Sequence, residues 1–90
     1  MSIIIRVFGP SQGCAKCRAA EKVAEEVAEK FRDVSVEKID VFSEEADRHN
    51  IMMTPTIMVN EMMVEVGKPP SPEKLQKVIA AIIDDEEKEG

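Results

Sequence analysis

The sequence predicts an α/β domain with the element order β-α-β-α-β-β-α, a four-stranded mixed sheet flanked by helices. Three observations predict it. Ile3 to Phe8 is a short, β-branched, nearly all-apolar run closed by Gly9-Pro10-Ser11-Gln12-Gly13. From Cys17 onward, apolar residues recur at spacings of three and four. Two further apolar runs, Thr56 to Asn60 and Met62 to Val66, lie only a residue or two apart. Ninety residues leave room for one domain, residues 1–90, and a chain of this size buries only about 60–65 % of its unfolded surface.

The first run suits a strand buried on both faces. The helix that follows is amphipathic, with Ala20, Val23, Ala24, Val27, Ala28 and Phe31 as its apolar stripe, and is expected to reach about Phe31. Val34 to Val41 reads as a second strand with Val34, Val36, Ile39 and Val41 toward the core, and strand–helix–strand order implies a right-handed parallel crossover. Ser43 caps a short helix running to about Asn50, with Glu44 and Glu45 where the helix dipole favours negative charge. The next two strands should pair as an antiparallel hairpin with Asn60 in a left-handed turn position. Gly67-Lys68-Pro69-Pro70 ends that hairpin, and Ser71 caps a last helix with Pro72 at its first position and Leu75, Val78, Ile79, Ile82 and Ile83 as its buried stripe. Its acidic end, from about Asp84, is expected to fray.

The only two cysteines, Cys14 and Cys17, stand at the start of the first helix. A Cys-x-x-Cys so placed puts the first sulfur at the exposed helix N-terminus and the second in the first turn, close enough to bridge. Free backbone N–H groups and the helix dipole favour a thiolate at Cys14, and Lys16 and Arg18 add positive charge. A disulfide closing about four residues adds only roughly 2 kcal/mol, so the pair is better explained by reactivity than by stability. Two chemistries use such a dithiol: electron exchange and capture of a soft metal.

The dithiol at the first strand–helix junction, followed by Thr54-Pro55-Thr56 at the head of the third strand, resembles the thioredoxin fold. It is most similar to the small thioredoxin- and glutaredoxin-like redox-active disulfide proteins of archaea and bacteria, over nearly the whole chain. The resemblance implies a thiol–disulfide oxidoreductase in which Cys14 attacks a partner disulfide and Cys17 resolves the mixed disulfide. It implies a cis Thr54–Pro55 bond close to the sulfurs, with Thr54 offering backbone to an extended partner. Met53 is expected to line that surface, whereas Met52, Met58, Met62 and Met63 are read with it as core and groove packing rather than as copper ligands. Gly13 stands where thioredoxins usually carry tryptophan. Lys16 replaces their proline and should favour the Cys14 thiolate, and no residue of the first strand supplies their buried carboxylate. Tyrosine, common in glutaredoxin motifs, is absent, so glutathione use has no residue in its support.

The competing reading is a soft-metal carrier using Cys14 and Cys17 as thiolate ligands. Copper carriers of that kind usually place methionine two residues before the first cysteine, where this chain has Gln12, and they give Thr54-Pro55-Thr56 no role. His49, near the end of the second helix where a cation is favourable, is expected to cap that helix or face solvent rather than act as a ligand. No bound cofactor and no metal are therefore expected. The net charge of −6 argues against nucleic acid, and no apolar run approaches the roughly 20 residues of a membrane span. The expected partners are disulfide-containing proteins and an upstream reductase. The start of the chain has no basic leader and no small-residue cleavage site, so the expected location is the cytoplasm, and a monomer is expected.

Overall fold

The computed structural model describes residues 3–10 and 15–89. In chain order its elements are β1 (Ile3–Gly9), α1 (Ala15–Ala28), β2 (Val34–Asp40), α2 (Glu44–Arg48), β3 (Thr56–Val59), β4 (Met62–Val66) and α3 (Pro72–Glu89). The four strands form one mixed sheet in the order β2-β1-β3-β4. β1 pairs parallel with β2 (Ile3 with Val34 through Gly9 with Asp40) and antiparallel with β3 (Phe8 with Thr56, Ile5 with Val59), while β3 and β4 form the expected antiparallel hairpin. The predicted element order and fold class are those observed.

Period-two alternation along β1 divides the core between the two faces of the sheet. Ile3, Ile5 and Val7 face α1 and α3 and join Ala20, Ala24, Val27, Ile57, Val59, Val64, Leu75 and Ile79 in the main cluster. On the other face Phe8 packs with Ile39, Met58 and Ala46 of α2, with Ile51 against them. β1 thus lies between two strands and two apolar layers, which is why a nearly unbroken β-branched run suits it.

Several boundaries differ from those predicted. α1 ends at Ala28 rather than near Phe31, because Lys30 and Phe31 donate their N–H groups three residues back, to Val27 and Ala28, in tightened turns. Phe31 still packs against the main cluster, and so it belongs to the apolar pattern without being helical. Val41 lies beyond β2, its N–H bonded to the Gly9 carbonyl. α2 stops at Arg48, since His49 takes the C-cap and Asn50 is left-handed with φ 55°. The helical backbone of α3 continues to Glu89, past position 84 where the sequence predicts fraying; Asp84-Asp85-Glu86-Glu87 contains no glycine or proline to stop it.

The caps follow the sequence. Ser43 Oγ accepts from the Ala46 N–H at 3.3 Å, and Ser71 Oγ accepts from the Lys74 N–H at 3.1 Å. Asn60 has φ 54°, as a left-handed turn residue should, and does more than turn the chain. Its N–H donates to the Ile4 carbonyl at 2.9 Å, its Oδ1 accepts from the Ile4 N–H at 3.0 Å, and its carbonyl accepts from Arg6 Nη1 at 2.7 Å. One side chain thereby continues the β1–β3 ladder past the end of β3.

Arg6 is a cation set into the middle of the central strand, its side chain only 16 % exposed. Glu37, Glu45 and Glu61 approach its guanidinium at 3.8, 3.5 and 3.8 Å from β2, α2 and the hairpin turn. The charge is balanced by several half-solvated carboxylates rather than by one ideal partner, since Arg6 Nε has no hydrogen-bond partner among the described residues.

Glu65 of β4 accepts a hydrogen bond from Lys74 Nζ at 2.9 Å, and Lys68 lies 3.7 Å away. The Lys74 bond, helped by the charge of both lysines, outweighs desolvation and holds the Glu65 carboxyl below its ordinary pKa of 4.5. A folded-state pKa below the unfolded one adds stability that is present above the unfolded value and lost as pH falls through the folded one. Glu65→Gln should therefore lower stability at neutral pH by less than about 1 kcal/mol, as suits a partly solvated pair. The gap between parent and variant should close as pH drops below 4.5. Urea melts at pH 7 and pH 3 check this; a gap unchanged at pH 3 would show that the ion pair does not link to folding.

Candidate active site

β1 and β2 run parallel, and their C-terminal ends meet the N-terminal end of β3, so one end of the sheet gathers Gly9, Asp40 and Thr56. The row Ile39–Phe8–Thr56–Val66 crosses the sheet there. One step further out lie Gly9, Pro55 and Gly67, with the Gly67 N–H bonded to the Pro55 carbonyl at 2.8 Å. α1 starts over this end, as it must when a strand feeds a short connection into a crossover helix.

Cys17 sits in the first turns of α1, buried and disulfide-bonded. Its sulfur rests on the backbone of Gly9. A side-chain carbon at position 9 would lie 2.8 Å from Cys17 Sγ and 3.2 Å from its Cβ. The sequence marks Gly9 only as turn chemistry, whereas the structure makes it the seat of the sulfur. Nothing in local pattern reveals this, because it depends on how α1 lies across β1. Gly9→Ala should displace Cys17 and cost about 1–3 kcal/mol, as overpacking does, and alter the ease with which the disulfide is reduced. Chemical denaturation together with a redox titration of the variant checks it; a protein unchanged in both would show that the sulfur has room to move.

Cys14 and Gly13 lie outside the described residues. Of the other predicted site residues, Lys16 is exposed on the first turn of α1, Thr54 is half-buried and Pro55 is buried. The Thr54–Pro55 peptide is cis, as the resemblance implies. Thr56, also buried, donates its hydroxyl to the Met53 carbonyl, which ties the segment before β3 to the strand itself. The structure brings Cys17, Pro55 and Met53 to the same end of the sheet.

The methionine reading is corrected in part. Only Met58 of the five enters the core, while Met52, Met53, Met62 and Met63 are exposed; Met62 and Met63 lie on β4, an edge strand, and Met52 and Met53 in the loop before Pro55. Met53 is 57 % exposed, with its Cε 3.0 Å from where a carbon on Gly67 would be. Gly67, at φ +83°, supplies both the left-handed backbone and the space. His49 stands at the C-cap of α2 with its backbone N–H bonded back to the helix, and its ring packs edge-on against Phe8, centroids 5.7 Å apart, rather than lying free in solvent.

Phe42, 84 % exposed, escaped the sequence reading. The turn after β2 holds it out at the dithiol end. Phe42 donates its N–H to Asp40 Oδ1 at 2.9 Å, and the Asp40 carbonyl accepts from both the N–H and the hydroxyl of Ser43. Among the described residues no group of three or more His, Cys, Asp or Glu side chains is placed to hold a metal ion. No helix among them is long and apolar enough to cross a membrane.

A buried, disulfide-bonded cysteine at the head of α1, at the same end of a mixed β2-β1-β3-β4 sheet as a cis-proline, is the arrangement of the thioredoxin class of fold. The family model described as thioredoxin domain matches residues 3–80, and so the chain belongs to the thioredoxin domain family as a thioredoxin-fold redox protein. Solved structures agree. A variant thioredoxin from Halobacterium salinarum NRC-1 is 26 % identical with a TM-score of 0.70, the match covering 89 % of this chain and 74 % of that one. A chloroplastic thioredoxin z is 21 % identical with a TM-score of 0.74, over 92 % and 80 % of the two chains. The thioredoxin of Trypanosoma brucei brucei is 22 % identical with a TM-score of 0.69, over 92 % and 76 %. No curated protein matches the sequence.

Proposed function

We propose that this protein is a thiol–disulfide oxidoreductase that exchanges electrons with protein disulfides through Cys14 and Cys17. The observation that carries the reading is the disulfide at Cys17, whose sulfur is seated on Gly9; Cys14 is the only other cysteine in the chain. The Cys14 thiolate attacks one sulfur of a partner disulfide, the S–S bond breaks, and the departing partner sulfur takes up a proton. Cys17 then loses its proton and attacks the Cys14 sulfur from within, expelling the second partner thiolate. The partner gains two electrons as two thiols, and Cys14 and Cys17 close as a disulfide.

Lys16 and Gly13 are the modulating positions beside the dithiol, Lys16 through a positive charge that favours the Cys14 thiolate. Thr54 offers its backbone to an extended partner segment beside Pro55, with Met53 as an apolar contact. The dithiol supplies all of the redox chemistry without a bound cofactor. An upstream reductase restores the dithiol, and the setting is the cytoplasm. The net charge of −6 speaks against nucleic acid as a partner.

Equilibration of the metal-free protein in graded thiol–disulfide buffers tests the proposal. The expected result is one reversible two-electron transition of Cys14 and Cys17 between about −200 and −280 mV. Disulfide reduction by the parent protein should be lost in Cys14→Ser. A pair that does not close reversibly, but holds a soft metal as two thiolates, would overturn the reading in favour of a metal carrier.

A further inference from the structure

Met52 and Met53 are adjacent in sequence yet differ in what they touch. Met52 is 91 % exposed. Met53 is exposed enough for a small oxidant to reach its sulfur, and it is also engaged: its Cε and Sδ would lie 3.0 and 3.7 Å from a carbon on Gly67, and its carbonyl accepts from the Thr56 hydroxyl. Gly67 is in turn bonded to the Pro55 carbonyl. The Met53 sulfur therefore lies beside the segment that turns past Pro55, at the end of the sheet that carries Cys17.

We infer that Met53 is a peroxide-sensitive modification site, and that its oxidation to the sulfoxide weakens the docking of disulfide partners; this rests on the oxidoreductase reading above. A sulfur lone pair of Met53 attacks one oxygen of a peroxide, an S–O bond forms, and the O–O bond breaks. The sulfur is oxidised by two electrons, and the other peroxide oxygen leaves as water or an alcohol after protonation. A thioether has no proton to lose, so the step does not depend on a thiolate and proceeds while the dithiol is closed as a disulfide. The product replaces an apolar contact with a strong acceptor that holds water. A partner lying along Thr54 and Pro55 would have to strip that water. Methionine sulfoxide reductases return the sulfide, so the change is reversible.

The experiment treats the disulfide form with hydrogen peroxide, removes the peroxide, reduces the disulfide with a small dithiol and measures kcat/KM for reduction of insulin disulfides, with peptide mass mapping of each methionine. Oxidation at Met53 should lower kcat/KM by about tenfold, chiefly through KM, the factor expected for one desolvated polar group left unpaired. The rate of Met53→Leu, whatever its starting value, should not change with peroxide, and Met52→Leu should lose activity as the parent does. Full oxidation of Met53 with unchanged kcat/KM would overturn the inference, as would a peroxide-dependent loss that persists in Met53→Leu. An untreated protein that does not reduce insulin would sink the oxidoreductase reading, and the inference with it.

Discussion

Cys17→Ser should yield a protein that captures its disulfide partner and does not release it. Cys17 is 3 % exposed, so its sulfur is out of reach of a large partner and able to act only on a neighbour inside the fold. In the proposed sequence that neighbour is the Cys14 sulfur carrying the partner. Serine keeps nearly the same shape against Gly9, but its hydroxyl is not ionised near neutral pH and does not attack a disulfide. The first step then proceeds and the second does not: turnover falls to background and a mixed disulfide through Cys14 accumulates. Losing the short disulfide and burying a hydroxyl cost roughly 2–4 kcal/mol together, so circular dichroism should accompany the assay to show that the variant is folded. Intact mass and non-reducing electrophoresis of the variant mixed with a disulfide substrate read the adduct, and dithiothreitol should release it. A folded variant that never forms the adduct would reverse the roles given to the two cysteines.

The largest expected change in stability belongs to Phe8→Ala. Phe8 is one of only three aromatic residues and is fully buried, with Ile39, Ala46, Met58, Ile51 and the His49 ring around it. Removing a buried phenyl ring costs about 3–5 kcal/mol in transfer and cavity terms. A domain of this length has roughly 5–13 kcal/mol in all, so the variant should stand close to unfolding at physiological temperature, with Tm lowered by about 15–30 °C. Phe8→Leu should recover most of the loss, since a branched aliphatic side chain refills much of the space. Urea denaturation of the three proteins decides the matter. A Phe8→Ala cost below about 1 kcal/mol would mean that this smaller apolar layer folds and unfolds apart from the rest.

The architecture was legible because the signals for it are local. The β-branched run of β1, the three-and-four spacing of α1, the serine caps of α2 and α3 and the left-handed Asn60 each act within a few residues of themselves. Helix ends were read less well: apolar periodicity continues wherever a side chain packs, and Phe31 packs from a turn as readily as from a helix. Contacts between elements were not legible at all. Gly9 under Cys17, Met53 over Gly67, Arg6 among Glu37, Glu45 and Glu61, and Asn60 bonded to Ile4 all join positions distant in sequence, and their residue types alone fit many other roles. The dithiol was legible in the spacing of the two cysteines at a helix start, the role of the proline only through the resemblance, and the structure places Cys17 and Pro55 at one end of the sheet.

The two sides of the sheet are unequally fastened. α1 and α3 pack with six strand residues into a cluster of eleven buried residues, whereas α2 is five residues long and contributes Ala46 as its only buried side chain. Local opening should follow the weaker attachment, so amide hydrogens of α2 should exchange through small excursions and those of β1 only on global unfolding, which amide hydrogen exchange checks. The chain runs from α2 directly into residues 51–55 and the cis-proline, and so the segment proposed to grip a partner hangs from the softest element of the fold. Cys17 rides on one of the firmest. The sulfur proposed to resolve the mixed disulfide is thereby set on the closely packed side of the sheet, and the proposed grip beside the lightly packed one.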